Sequence, residues 1–171
     1  MRALLPLLAA AALAACAPMA APPEAPAPLA FEPAEFAWST TGGPNAVEGS
    51  VTYSRAGAPW TCAGTTVGLT PDTPYSRQRI SVLYGSTLRA LLPVREVRSR
   101  TVAEAGADYS RFVRRAPCDA QGRFAFRGLP DGAWFVIANV RPASGAAAED
   151  ALVLMQRVEA RNGITKIVLL Q

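Results

Sequence analysis

The sequence contains no histidine and only one lysine, Lys166. Histidine is the side chain that most often acts as a general base or metal ligand near neutral pH. Its absence excludes a Cys–His or Ser–His nucleophile pair and any zinc site that needs imidazole. The other positive residues are sixteen arginines spread along the chain, and the net charge is +4. Because this charge is modest and is not clustered with stacking aromatics, we expect no nucleic-acid partner.

Long hydrophobic runs are also missing, apart from one apolar stretch over residues 3–15. A bilayer-spanning helix needs about 20 apolar residues, so this stretch has the length of a secretory signal core instead. It ends in Leu13-Ala14-Ala15-Cys16, which resembles the lipobox of bacterial lipoproteins. The resemblance implies removal of residues 1–15 and acyl chains on Cys16, and more than one chain would anchor the protein stably. The alternative is an ordinary secreted protein cut near Ala14 or Ala20.

We therefore predict a lipoprotein held on a bacterial membrane through Cys16, with its domain facing the periplasm. Ala17 stands where enteric-type bacteria place an aspartate in lipoproteins of the inner membrane. Its identity favours the outer membrane.

Residues 16–44 are rich in proline and alanine, which favours an extended, polyproline-like tether. Phe31, Phe36 and Trp38 interrupt this composition. We expect these aromatic residues to dock on the domain where the tether meets it. A peptide motif for a partner is the alternative.

From residue 45 to 171 the sequence shows short β-type runs separated by turn signals. The predicted strands cover residues 47–53, 65–70, 109–115, 123–127, 133–140, 151–159 and 164–170. Asn162-Gly163 predicts that the last two strands form a hairpin. About seven short strands favour an all-β fold, an antiparallel β-sandwich.

Residues 73–116 interrupt this pattern and are interpreted as an insertion. Apolar side chains at helical spacing from Ile80 to Leu91 predict one helix near residues 74–91, with Pro74 in its first turn. A polar strand or ribbon is predicted over 94–102.

Cys62 and Cys118 form an even pair in an exported domain, which predicts a disulfide. A metal site and a reactive thiol are the alternatives. Two thiolates do not complete a zinc tetrahedron, and a catalytic cysteine needs a histidine that this chain lacks.

The stretch from Asp119 to Val136 reads D-x-x-G-x-F-x-F-x-x-L-P-x-G-x-W-x-V. It resembles the carboxypeptidase regulatory-like domain, also called transthyretin-like or prealbumin-like. The resemblance covers residues 46–71 and 117–170, and it implies a prealbumin-like sandwich. In carboxypeptidases this module accompanies a separate zinc-bearing catalytic domain. No such domain is present in this sequence, so the resemblance implies no enzymatic activity.

We identify no catalytic, metal-binding or cofactor-binding residues in the sequence. Arginine side chains of the insertion are candidates for contact with an anion or a partner, because guanidinium groups match phosphate and carboxylate oxygens. The candidates are Arg98, Arg100, Arg114 and Arg115. Solvated strand faces are the alternative interpretation.

Two further groups of residues are considered as sites. Four large aromatic residues could form a sugar-binding platform, although core packing is the favoured interpretation: Trp60, Tyr75, Tyr84 and Trp134. Several carboxylates could serve acid–base chemistry, although turn and solvation roles are favoured: Asp72, Asp108, Asp119, Asp131, Glu149 and Asp150.

The predicted function is that of a non-enzymatic, membrane-anchored module that binds or scaffolds an envelope protein or glycan. The alternative is a carboxylate-dependent hydrolase of envelope glycan or peptide.

Overall fold

The computed structural model describes residues 27–51, 53–102, 107–144 and 151–169. The predicted signal core, Cys16, Glu149 and Asp150 lie outside the described residues. No helix in the described ranges is long and apolar enough to cross a membrane.

The described residues form ten strands, four short α-helices and one 3-10 helix. The strands are β1 Asn45–Val51, β2 Tyr53–Arg55, β3 Ala58–Thr61, β4 Thr66–Pro71, β5 Arg89–Pro93, β6 Arg114–Pro117, β7 Arg123–Leu129, β8 Gly132–Pro142, β9 Leu152–Ala160 and β10 Ile164–Leu169. The helices are α1 Pro33–Phe36, α2 Pro74–Tyr84, α3 Val94–Ser99 and α4 Ala107–Ser110, and the 3-10 helix covers Ala37–Thr40.

Two sheets pack face to face, which confirms the predicted all-β sandwich. The smaller sheet has the order β10-β1-β7, with β1 parallel to β10 and antiparallel to β7. The larger sheet runs β5-β9-β8-β4-β6, and the far end of β8 pairs with the β2–β3 hairpin. Except for the β1–β10 pair, all neighbouring strands in the described part of the chain are antiparallel.

Strand β8 is the centre of the larger sheet, as its apolar sequence predicted. Trp134 and Val136 point into the core between the sheets, whereas Phe135 and Ile137 pack under the helices. A strand covered on both faces needs apolar residues at nearly every position.

Helices α2 and α3 form a third layer on the larger sheet, opposite the smaller sheet. Thr73 caps α2 through a reciprocal pair of hydrogen bonds with Ser76. The predicted inserted helix is confirmed over Pro74–Tyr84, but its extension to residue 91 is wrong, because Gly85 adopts a left-handed conformation (φ 71°) that ends α2. Residues 89–93 instead form β5, which pairs with β9 at the sheet edge.

Three other predictions about chain paths are wrong. The predicted polar strand 94–102 contains the helix α3. The predicted strand 109–115 begins as the helix α4, and its strand, β6, starts only at Arg114. The predicted hairpin of the last two strands does not form, because β9 pairs with β8 and β5 while β10 pairs with β1.

The turn at Asn162-Gly163 does form, with positive φ values of 57° and 102°, but it carries the chain from one sheet to the other. Asn45 directs this crossing. Its buried side chain accepts a hydrogen bond from the Gly163 backbone (2.9 Å) and donates to Leu129 O and Asp131 Oδ1. One amide thereby joins the starts of β1 and β10 to the β7–β8 turn.

The segment 27–44 packs along the domain before β1 begins, and we call it the strap. Its aromatic residues dock as expected. Phe36 is fully buried, and its ring lies 5.0 Å from that of Phe112 and 5.2 Å from that of Phe31. Tyr75 and Tyr109 complete this cluster, and burial raises the pKa of Tyr109 to about 12. Farther along the strap, Trp38 stacks edge-on against Trp134.

Cys62 and Cys118 are joined by a disulfide, with their Cα atoms 5.8 Å apart. Both cysteines are buried in the core between the sheets. The disulfide joins the start of the β3–β4 turn to the end of β6. It therefore closes a loop that contains α2 and α3, which we call the helical layer.

Candidate functional site

A shallow, open groove of about 670 Å³ lies on the outer face of the smaller sheet. Alternation along β7 produces this polar surface, because Phe124 and Phe126 are buried while Arg123, Ala125 and Arg127 are exposed. The outer positions of β1, Glu48 and Ser50, are half-buried beside them.

The register places a small residue among charged ones at the centre of the groove. Glu48 lies opposite Ala125, and Ser50 lies opposite Arg123. Arg127 reaches diagonally across the strands to Glu48, with 2.8 Å between Nη2 and Oε1. Because the side chain of Ala125 is only a methyl group, it leaves space in the groove between Arg123 and Arg127.

A second carboxylate–guanidinium pair borders the groove. Asp119 lies in the turn before β7, and its Oδ2 accepts a hydrogen bond from Arg123 Nε at 2.9 Å. Its Oδ1 accepts from the backbone N–H groups of Gln121 and Arg123. These hydrogen bonds hold the pKa of Asp119 below its usual value, and the bond from the Arg123 backbone is the largest cause. The side chain is therefore fixed in direction and ionised.

The groove offers hydrogen-bond acceptors and donors held in planar groups of known orientation. Each carboxylate fixes one guanidinium, and the remaining N–H groups and lone pairs are directed by that pairing. Such a surface can bind a polar ligand that both donates and accepts hydrogen bonds.

The groove is poorly suited to carboxylate-dependent hydrolysis. Hydrolases of this type keep one carboxyl group protonated by raising its pKa. Asp119 shows the opposite shift, and Glu48 is paired with Arg127. Among the described residues, no group of three or more metal-binding side chains comes together.

The structure separates the four arginines that were predicted to contact a partner. Arg98 is exposed on α3, and Arg100 follows that helix, bonding Glu96 (2.6 Å) and the Leu83 carbonyl (2.8 Å). Arg114 and Arg115 lie on β6, at the opposite edge of the larger sheet from β5 and α3. The four side chains therefore form no single patch.

Arg114 has an internal role. Its guanidinium lies 5.5 Å from the Trp134 ring and donates to the Ser39 carbonyl at 2.7 Å. Partial burial lowers the pKa of Arg114. This residue fastens the strap to β6, whereas Arg115 is exposed.

The four aromatic residues considered as a sugar platform are each less than a tenth exposed. Their burial agrees with the favoured interpretation, core packing.

Among the aspartates that the structure describes, Asp72 is the most enclosed, and its buried side chain accepts hydrogen bonds from Arg77 (2.9 Å) and Arg157 (2.6 Å). The bond to Asp72 is the main cause of the raised pKa of Arg157. Asp72 therefore ties the start of α2 to β9.

Sequence reasoning missed Glu48, Ser50, Arg123 and Arg127 as site residues. The alternation of β7 was a usable signal, since it put Arg123 and Arg127 on the face opposite Phe124 and Phe126. The position of Glu48 in the groove could not be predicted from the sequence, because it depends on the register between β1 and β7.

No protein-family model and no curated protein matches this chain. Among solved structures, the chain is similar to a crystal structure from Pseudomonas aeruginosa named as a "putative carbohydrate binding protein". The two chains are 22% identical, the match covers 82% of this chain and 97% of the other, and the TM-score is 0.60. At this identity the likeness shows a shared fold.

Proposed function

We propose that this protein is a non-enzymatic, glycan-binding module of the bacterial envelope, and that it binds through the outer face of the smaller sheet. The main observation in support of this proposal is the open groove over Ala125, which is flanked by two ion pairs, Glu48–Arg127 and Asp119–Arg123. The name of the structural neighbour, which has the same fold, supports the choice of a carbohydrate ligand.

Sugar hydroxyl groups both donate and accept hydrogen bonds, often from two adjacent positions. A carboxylate and a guanidinium held side by side match such pairs, and their mutual bond reduces the entropy lost on binding. The low floor at Ala125 leaves space for the C–H face of a sugar ring between Arg123 and Arg127. The open, shallow shape suits an oligosaccharide lying along the sheet better than an enclosed small molecule.

The proposal predicts that Glu48→Gln/Arg127→Gln weakens glycan binding at least tenfold. The double substitution removes the charged hydrogen-bonding groups, which contribute about 1.5–3 kcal/mol each when they bind a partner, while it keeps the side-chain volumes. Binding would be measured on immobilised neutral, N-acetylated and acidic oligosaccharides, and on intact peptidoglycan.

Asp108→Asn/Arg111→Gln is a control, because it removes a carboxylate–arginine ion pair from the α4 region without touching the groove. The control should bind like the wild type. Equal binding by the groove variant and the wild type would refute the assignment of the site. Failure of the wild-type protein to bind any of these glycans would refute the function.

Anchoring through Cys16 is part of the same proposal. It rests on the lipobox-like residues Leu13-Ala14-Ala15-Cys16 that follow the apolar stretch. An outer-membrane location would place the groove among periplasmic glycans.

We expect the full-length protein to incorporate radiolabelled fatty acid in a bacterial host and to fractionate with membranes. Cys16→Ser should abolish both the label and the membrane association, since acyl chains provide the attachment. Cys62→Ser/Cys118→Ser, which leaves Cys16 in place, should retain the label. Unchanged labelling of Cys16→Ser would exclude this anchor.

A further inference from the structure

The net positive charge of the sequence comes from the segment that contains the helical layer, α2 and α3. Residues 72–100, which contain α2, β5 and α3, carry six arginines and two carboxylates, a net charge of +4. The rest of the sequence has eleven residues of each sign and is neutral. The segment that contains the helical layer therefore accounts for the whole excess charge of the chain.

Two arginines of α3 are directed at solvent. Arg95 and Arg98 are exposed, and neither of them forms an ion pair within the described ranges. Arg95 and Arg98 are three residues apart on α3, so they share one face of that helix. Unpaired guanidinium groups in this arrangement favour an anionic surface.

Exposed apolar side chains accompany these arginines. Three of the four large apolar residues that are most exposed in the described structure lie in or beside the helical layer: Leu29 (46%), Val82 (47%) and Leu88 (68%). Val82 borders a shallow depression with Gln78 and Thr87, the residue before Leu88. Cationic and apolar groups on one surface are the combination that binds the interface of an anionic bilayer.

The strap begins on this same layer. The Gln78 side chain, on α2, accepts from the Leu29 backbone (2.7 Å) and donates to the Ala27 carbonyl (2.9 Å). Ala27 lies eleven residues after Cys16, a distance of at most about 40 Å even in a fully extended chain. An anchor at Cys16 would therefore hold the membrane within about 40 Å of this layer.

We propose that the helical layer is a docking surface for an anionic phospholipid bilayer, with Arg95 and Arg98 contacting phosphate groups and Leu29, Val82 and Leu88 contacting the interface. The inference does not depend on glycan binding, since the groove lies on the far side of the sandwich. It orients the domain with its groove directed away from the membrane.

The test uses the chain from residue 17 onward, which retains every described residue and lacks Cys16. Flotation is measured with vesicles of phosphatidylcholine alone and with vesicles that also contain phosphatidylglycerol. We expect binding only to the anionic vesicles, and release at high salt. Arg95→Gln/Arg98→Gln should bind about thirtyfold more weakly, because each arginine near an anionic surface contributes about a fivefold factor.

Arg55→Gln/Arg141→Gln removes the same charge from exposed positions on β2 and β8 and should bind like the wild type. Val82→Ser/Leu88→Ser should weaken binding without changing its salt dependence. Circular dichroism of each variant verifies that it is folded. Equal weakening by the two arginine pairs, or equal binding to both vesicle types, would overturn the proposal.

Discussion

Replacing Cys62 and Cys118 with alanine is expected to lower the free energy of unfolding by about 4 kcal/mol. The two cysteines are 56 residues apart, and a cross-link over a loop of this length restricts the unfolded chain by about that amount. The melting temperature should fall by roughly 10 °C in a domain of this size. Urea unfolding followed by tryptophan fluorescence would measure the change.

A reducing agent provides the control for this prediction. It should lower the stability of the wild type to that of the double variant and should leave the variant unchanged. A variant within 1 kcal/mol of the wild type would show that the bond contributes little.

Phe36→Ala is expected to lower the free energy of unfolding by about 3–5 kcal/mol, the usual cost of deleting a fully buried phenylalanine. The change would leave a cavity among Phe31, Tyr75, Tyr109 and Phe112. The loss should appear in a single unfolding transition, because the strap is packed on the same domain. Equilibrium urea unfolding would measure it.

Glu35→Ala is the matched control, since Glu35 is exposed on the same short helix. We expect its effect to lie within about 0.5 kcal/mol. If Phe36→Ala were equally mild, the strap would contribute little to the stability of the domain.

The sandwich could be predicted from the sequence because its central strands carry strong local patterns. Residues 123–127 alternate and 133–140 are apolar except for Asn139, and both became strands of the predicted kind. The path of the last strand could not be predicted in this way. Asn162-Gly163 dictates a tight turn, but the turn does not dictate which sheet receives the next strand. That choice depends on the distant Asn45 and on the edge of β9 already being occupied by β5.

Only part of the candidate groove could be predicted from the sequence. The outward direction of Arg123 and Arg127 follows from the alternation of β7. Their relation to Glu48 requires the β1–β7 register, which contains an irregularity between Asn45 and Val47. The internal contacts of Arg114 with Trp134 and the strap could not be predicted either, because they depend on how residues distant in the sequence pack together.

The order of strap, β1 and groove along the chain has a mechanical consequence. Glu48 and Ser50 belong to the first strand after the strap. Tension from an anchor at residue 16 would reach the groove through the strap and then β1, which shares the groove with its neighbour β7. The contacts of Leu29 and Phe36 would release first and add up to about 60 Å of extensible chain. The β1 ladder, loaded along its length between β7 and β10, would yield last, so the domain could follow a moving ligand without unfolding.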